Sequence, residues 1–183
     1  MNEILFTANA RALLRRAGWF PGRAIPISAC GAEIELLPSA IEILRELGDV
    51  SLRTGEHELL IFGPGFDSGD ETNISERVVS RSDRVVAKTV WASVTEQIRR
   101  HVSVVAWEYG QDQHSIAVDK NGLVYCATWS FFDESQTVNA DVIKLADCVE
   151  SYLNFWLDPN ETTRSNLHVA YPFWETSIEF CLE

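Results

Sequence analysis

The stretch from Val102 to Phe132 constrains the fold more than any other part of the chain, because it predicts three consecutive strands. Apolar runs predict that these strands begin at Val102, near Ile116 and at Leu123. Between the second and third strands lies Asp119-Lys120-Asn121-Gly122, in which Asn and Gly tolerate the positive φ of a tight turn. The aspartate can accept bonds from the backbone of its own turn. The pattern therefore predicts an antiparallel hairpin. A role in this turn explains the presence of Asp119 better than a catalytic role does.

Apolar positions at helical spacing predict helices in four other segments. These are Ala8–Ala17 with Thr7 as N-cap, a helix from Pro38 to Gly48, a helix within Val85–His101, and a long helix from Asn139 to Asp158. Further strands are expected at Val50–Leu52, Leu59–Phe62, Leu167–Tyr171 and Thr176–Cys181. We therefore expect an α+β fold: one domain over residues 1–183, with a mainly antiparallel mixed sheet covered by about four helices.

The composition is that of an ordinary globular chain. It has 183 residues, 46% of them hydrophobic and 23% charged, which is enough to bury a single core. The first residues lack the basic and long apolar regions of a secretory signal, and no later run is long enough to span a bilayer. We expect a cytoplasmic protein that does not enter a membrane. Its four cysteines are scattered without a C-x-x-C pair, which favours reduced, buried thiols.

The charge of the chain is strongly acidic and unevenly distributed. The formal net charge is −12, yet residues 1–23 carry four Arg and one acid, for +3. Residues 24–76 carry −9 and residues 102–183 carry −10. Such a surface repels phosphates and attracts basic proteins, so direct nucleic acid binding is not expected. Solubility alone is an equally good explanation of the charge.

Signals of catalysis are weak in this sequence. The four histidines are isolated, with no spacing that would place two on one helix face to hold a metal. The segment Gly63-x-Gly65 is acidic and lacks the ending of a phosphate loop, and no G-x-S-x-G motif occurs. These residues therefore give no positive indication of a catalytic or metal-binding site. A small metal-dependent hydrolase built from scattered Asp and His side chains is the weaker alternative.

Three features in order resemble a known family. They are the segment Leu14–Arg23, the leucine-rich helix that ends at Gly48, and the hairpin Ser115–Tyr125. The first contains Ala17-Gly18-Trp19-Phe20-Pro21-Gly22-Arg23 and resembles the A-G-W-x-P-G-R pattern of the SUKH superfamily, third subfamily. The hairpin resembles its I-D-x-x-G-x-V-Y-like motif. The resemblance covers residues 10–155, and residues 160–183 form a C-terminal extension.

The resemblance implies an α+β immunity protein that binds a toxin domain, often a nuclease, and neutralises it by occlusion. It also implies a non-enzymatic role, with no catalytic residues, no metal site and no cofactor. We expect the toxin to be basic, and we expect acidic side chains, most of them around the Gly63–Glu76 loop, to contact it. These candidate residues are Glu56, Glu58, Asp67, Asp70, Glu71, Asp133 and Glu134. A general protein-binding scaffold or regulatory module is the main alternative, and a toxin gene directly upstream would argue against it.

Overall fold

The structure, a computed structural model, describes residues 5–26, 36–54, 57–62, 92, 94–109, 113–132 and 137–168. The helices and strands of this part of the chain are α1 (Ala8–Arg16), α2 (Pro38–Leu47), β1 (Ser51–Thr54), β2 (His57–Ile61), α3 (residues 94–98), β3 (Val102–Tyr109), β4 (Gln113–Asp119), β5 (Val124–Phe132), β6 (Thr137–Ala146), α4 (Val149–Leu157) and α5 (Glu161–Ser165). The predicted α+β class is confirmed.

The six described strands form one antiparallel meander in the order β1-β2-β3-β4-β5-β6. Each strand therefore pairs with its neighbour in sequence. The three strands predicted between Val102 and Phe132 are confirmed, and a bulge interrupts the pairing of β3 with β4 between Val104 and Ala106. Both faces of β4 are buried, since the adjacent residues Ile116 and Ala117 point to opposite faces and are each 1% exposed.

The hairpin between β4 and β5 closes as the sequence predicts. The N–H of Gly122 donates to the carbonyl of Asp119 at 2.9 Å, and Gly122 has a φ of 80°. The carboxylate Oδ1 of Asp119 accepts from the N–H groups of Asn121 at 2.8 Å and Leu123 at 3.0 Å. Gly122 alone takes the positive φ, which fits a three-residue loop that ends in a left-handed residue.

Helices α1 and α2 start as expected. Thr7 caps α1, because its hydroxyl accepts from the N–H of Ala10 at 3.1 Å. Pro38 opens α2, where its missing N–H costs nothing. The preceding N–H of Leu37 donates instead to Ser103 Oγ on β3 at 2.9 Å, and Ser39 Oγ donates to the carbonyl of Asp119 at 2.7 Å. The start of α2 is thereby joined to one end of the sheet.

The prediction of a single long helix from Asn139 is wrong in its first half. Residues Thr137–Ala146 form strand β6, which pairs with β5 over its whole length, with Val142 opposite Ala127. Val142, Leu145 and Ala146 fit a helical repeat, but β-branched residues are frequent before them and suit a strand. Pairing with β5 satisfies the backbone hydrogen-bonding groups of these residues. This tertiary contact selects the strand over the helix, which periodicity alone cannot do.

The second half of that helix prediction is confirmed. Helix α4 runs from Val149 to Leu157, with Cys148 as N-cap and Asp158 as C-cap. Its residues Val149, Tyr152, Leu153 and Trp156 are buried, as predicted.

Beyond α4, Asn160 caps the short helix α5 with a reciprocal capping box that includes Thr163. Leu167 then makes an isolated antiparallel bridge with Ala146. His168, also part of the predicted strand Leu167–Tyr171, lies in a bend and donates its N–H to the carbonyl of Leu145 at 2.8 Å. The rest of the strands predicted in the tail lies outside the described residues.

The two ends of the described chain meet at α1 and α4. Asn154 of α4 accepts from the N–H of Thr7 at 2.8 Å and donates from Nδ2 to the carbonyl of Leu5 at 2.7 Å. Beside this contact, the rings of Phe6 and Trp19 pack edge to face with centroids 5.3 Å apart. Both rings belong to the core.

Two cysteines lie in the described part of the chain. Cys126 is buried in β5, and Cys148 is partly buried; both are free thiols. This agrees with the prediction of reduced thiols. Cys30 and Cys181 lie outside the described residues. Within the described ranges, no helix has the length and apolar character needed to cross a membrane.

Candidate functional site

Of the seven acidic side chains predicted to contact a partner, the structure describes Glu58. This residue lies in β2 and is 8% exposed. Its Oε1 accepts from Ser51 Oγ at 2.9 Å and from Arg53 Nε at 3.3 Å, both on the neighbouring strand β1. Its charge is thus largely balanced inside the sheet. The remaining six predicted contacts, Glu56, Asp67, Asp70, Glu71, Asp133 and Glu134, lie outside the described residues.

A group of polar side chains is buried where β3 packs against α4. Glu108 of β3 is 1% exposed, and its Oε2 accepts a hydrogen bond of 3.2 Å from the hydroxyl of Tyr152. His57 Nδ1 is 3.9 Å from Oε1 of the same carboxylate. In the sheet register Glu108 faces His114, whose Nδ1 is 3.1 Å from Thr128 Oγ1. Sequence reasoning missed Glu108. Its position directly after the mostly apolar run Val102–Trp107 is a signal of a buried carboxylate.

This buried group has the chemistry of a structural network. Glu108 and His114 are each at most 4% exposed, so a substrate has no surface there to approach. Within the described ranges, no three His, Cys, Asp or Glu side chains are grouped to hold a metal ion. Hydrogen bonds join Tyr152 of α4 to Glu108 of β3 and His114 of β4 to Thr128 of β5, which helps these polar atoms remain buried.

The segment Ala17–Arg23 follows α1 and has a well-defined backbone. Gly18 donates to the carbonyl of Arg15 at 3.1 Å and Trp19 to that of Leu14 at 3.0 Å, which is a Schellman motif. Gly18 is the left-handed residue that this motif requires, with a φ of 91°. The helix therefore ends sharply and directs Trp19, which is 1% exposed, into the core.

The same segment then reverses direction in a second turn. Arg23 donates its N–H to the carbonyl of Phe20 at 3.1 Å, across Pro21 and Gly22. Proline at the second position and a glycine with a φ of 75° at the third are the residues of a type II turn. The predicted turn after Trp19 is confirmed.

Arg23 connects this turn to the end of α2. Its Nη1 donates to the carbonyls of Gly48 at 2.7 Å and Glu46 at 3.2 Å, which are carbonyls that the end of a helix leaves unsatisfied. The chain after the turn adds a backbone bond of 2.8 Å from Ile25 to Arg45. Partial burial raises the pKa of the neighbouring Asp49 carboxyl, and the positive charge of Arg23 opposes that rise.

The segment displays one exposed aromatic and directly follows two exposed cations. Phe20 is 56% exposed and Leu5 is 51% exposed, and they are the exposed large apolar side chains of the described residues. Arg15 and Arg16 are exposed in the last turn of α1, directly before the segment. We call Phe20 with these two arginines the Phe20 patch. Sequence reasoning did not single out Phe20, although an aromatic next to Pro-Gly in a turn is a signal of display at the surface.

The comparison with protein families agrees with the resemblance. The model of the SUKH-3 immunity protein family matches residues 6–143, about three quarters of the chain. The match includes the Ala17–Arg23 segment, α2 and the hairpin between β4 and β5. Searches of curated proteins and of solved structures found no match. On the strength of the family match, the chain belongs to the SUKH-3 immunity protein family.

Proposed function

We propose that this protein neutralises a cognate bacterial toxin domain, often a nuclease in proteins it resembles, by binding the toxin and occluding its active surface. The observation that carries the proposal is the family match over residues 6–143. The mechanism is stoichiometric binding and uses no cofactor. It requires a stable surface that fits the toxin, and the extensive sheet with helices packed on it supplies a rigid support for one.

Electrostatic attraction should raise the association rate of the proposed complex. A nuclease holds nucleic acid on a basic surface, and a chain of net charge −12 attracts such a surface over a distance of about a Debye length. Attraction of this kind raises the association rate more than it slows dissociation. The association rate should therefore fall steeply as salt is added.

The acidic contacts that we propose belong mainly to residues 56–71. Asp67, Asp70 and Glu71 supply a dense negative charge, with Glu56 nearby in sequence and Asp133 and Glu134 after β5. Glu58 differs from them, since it is mostly buried and bound to Ser51 and Arg53. Its contribution would be to orient Arg53 and to add to the field, rather than to touch the toxin over a wide area.

A growth assay with a candidate toxin domain, such as one found encoded by an adjacent gene, tests the proposal. Expression of that toxin alone should stop growth, and co-expression of this protein should restore it. The purified pair should form a one-to-one complex. Continued growth arrest together with no measurable binding between the purified proteins would show that the proposed function is wrong.

The acidic contacts have their own test with a matched control. Reversing Asp67, Asp70 and Glu71 to Lys should lower the association rate about tenfold or more at low salt. The control reverses Glu42, Glu96 and Glu161, which are exposed on α2, α3 and α5. Both triple variants change the net charge equally, so an equal loss of rate in the two would remove the first three acids from the interface.

A further inference from the structure

The Phe20 patch differs from an ordinary exposed side chain because its backbone is fixed on both sides. The Schellman motif holds Gly18 and Trp19 before it, and the type II turn with Arg23 holds the chain after it. Trp19 is buried against Phe6, so the turn cannot swing away from α1 without breaking the core. An aromatic displayed on such a fixed turn loses little freedom when a partner covers it.

No structural role in the described contacts explains why an aromatic occupies this position. Gly18 and Gly22 supply positive φ, Pro21 shapes the turn, and Arg23 binds the end of α2. Phe20 contributes its carbonyl to the turn, which any residue can do, while most of its ring faces solvent. Isolated apolar residues occur on most surfaces, but a fixed aromatic that follows two exposed arginines within five residues has the composition of an interface centre.

We propose that the Phe20 patch is an anchor of the toxin-binding surface, and that Phe20 inserts into an apolar pocket of the toxin whose edge carries carboxylates. This assignment rests on the proposed function. The carboxylates follow from charge, since residues 1–23 carry +3 in a chain of −12 and would repel a basic edge. The acidic regions and the Phe20 patch would bind different parts of the toxin surface, because their charges are opposite. Together they would select one orientation of the complex.

Binding of the same candidate toxin domain, purified, tests this anchor. Phe20→Ala should weaken the equilibrium affinity tenfold or more, mainly through faster dissociation, with an unchanged unfolding midpoint. Phe20→Leu keeps an apolar group and should recover part of the affinity. Arg15→Glu with Arg16→Glu should also weaken binding, whereas Lys120→Glu, an exposed cation in the distant hairpin turn, should not.

A second measurement does not depend on the stability of these variants. A photoreactive phenylalanine analogue at position 20 should cross-link to the toxin, and the same analogue at Asn121 should not. If wild-type protein binds the toxin while Phe20→Ala binds within twofold of it, or if position 20 fails to cross-link, the anchor is wrong and the proposed function stands. If wild-type protein does not bind the toxin, the proposed function fails and the anchor fails with it.

Discussion

Tyr152 of α4 donates its hydroxyl to Oε2 of Glu108 in β3 at 3.2 Å, in a place where both residues are 1% exposed. A carboxylate buried to this extent is stable only when its oxygens keep polar partners. The bond therefore joins α4 to the centre of the sheet at a specific point. An apolar contact at this position would allow the helix to slide, while the hydrogen bond selects one register between helix and sheet.

Tyr152→Phe tests the value of this bond. The variant keeps the ring but removes the donor, so the free energy of unfolding should fall by about 1–3 kcal/mol. Urea unfolding followed by tryptophan fluorescence measures the change. Tyr125→Phe is the matched control, because the Tyr125 hydroxyl accepts only a long bond of 3.4 Å from the exposed Arg100, among its described contacts. Equal losses in the two variants would contradict a special role for the buried pair.

Arg23→Ala should destabilise the protein through the end of α2. It removes the two hydrogen bonds to the carbonyls of Glu46 and Gly48, and we expect a loss of about 1–3 kcal/mol. Arg23→Lys should recover only part of this loss, since an ammonium lacks the fixed planar geometry of the guanidinium. Chemical unfolding measures both changes. Arg45→Ala, an exposed arginine on α2, is the control and should change stability by less than about 0.5 kcal/mol.

Asp119→Ala should weaken the hairpin between β4 and β5. The change removes the acceptor for two backbone N–H groups of the turn and the partner of Arg100, whose Nη1 is 3.2 Å from Oδ2. We expect a loss of about 2–4 kcal/mol, with a smaller loss for Asp119→Asn, which keeps Oδ1 as an acceptor. The stability of both variants can be compared with that of Lys120→Ala in the same turn. A neutral Asp119→Ala would show that the turn needs only its glycine.

Asp49→Asn should stabilise the protein at neutral pH. Burial raises the pKa of Asp49 in the folded state above its ordinary value of 3.8, so folding there disfavours the charged form. Stability therefore falls as the pH rises from about 3.8 through the raised pKa, and the penalty is present once the carboxyl is charged in the folded state. Asparagine also tolerates the φ of 61° at this position.

Urea unfolding at pH 7 and at pH 3.5 measures the effect. The gain from Asp49→Asn should be present at the higher pH and much smaller at the lower one, which lies below the ordinary pKa of 3.8 and below the raised pKa of the folded state. Glu42→Gln, at an exposed position on α2, controls for the loss of one negative charge. If the gain in the free energy of unfolding is the same at both pH values, the effect comes from the backbone conformation and not from the charge of Asp49.

The sequence predicted the parts of the fold that local chemistry determines. Thr7, Gly18 and Asp119 each act through bonds within a few residues, so their patterns could be interpreted without knowing the rest of the structure. β6 was not predictable in the same way. Its conformation depends on pairing with β5, and residues Val142 to Ala146 carry a repeat that suits a helix equally well.

The candidate site was less predictable than the fold. Burial of Glu108 depends on Tyr152, 44 residues away, and no local pattern brings the two together. Trp19 and Phe20 are adjacent aromatics, and the sequence alone does not show which of the two points into the core and which points to solvent. The acidic contacts were inferred from charge density, and apart from Glu58 they lie outside the described residues and stay predictions.

The contact of Asn154 with Leu5 and Thr7 has a consequence for synthesis on the ribosome. Every strand of the meander can pair with the strand made just before it, so the sheet can grow while the chain emerges. The first helix cannot dock in this way, because the amide that holds its start appears 147 residues after Thr7. Until then Phe6, Leu14 and Trp19 have no completed core to enter, so these three side chains stay accessible on the nascent chain.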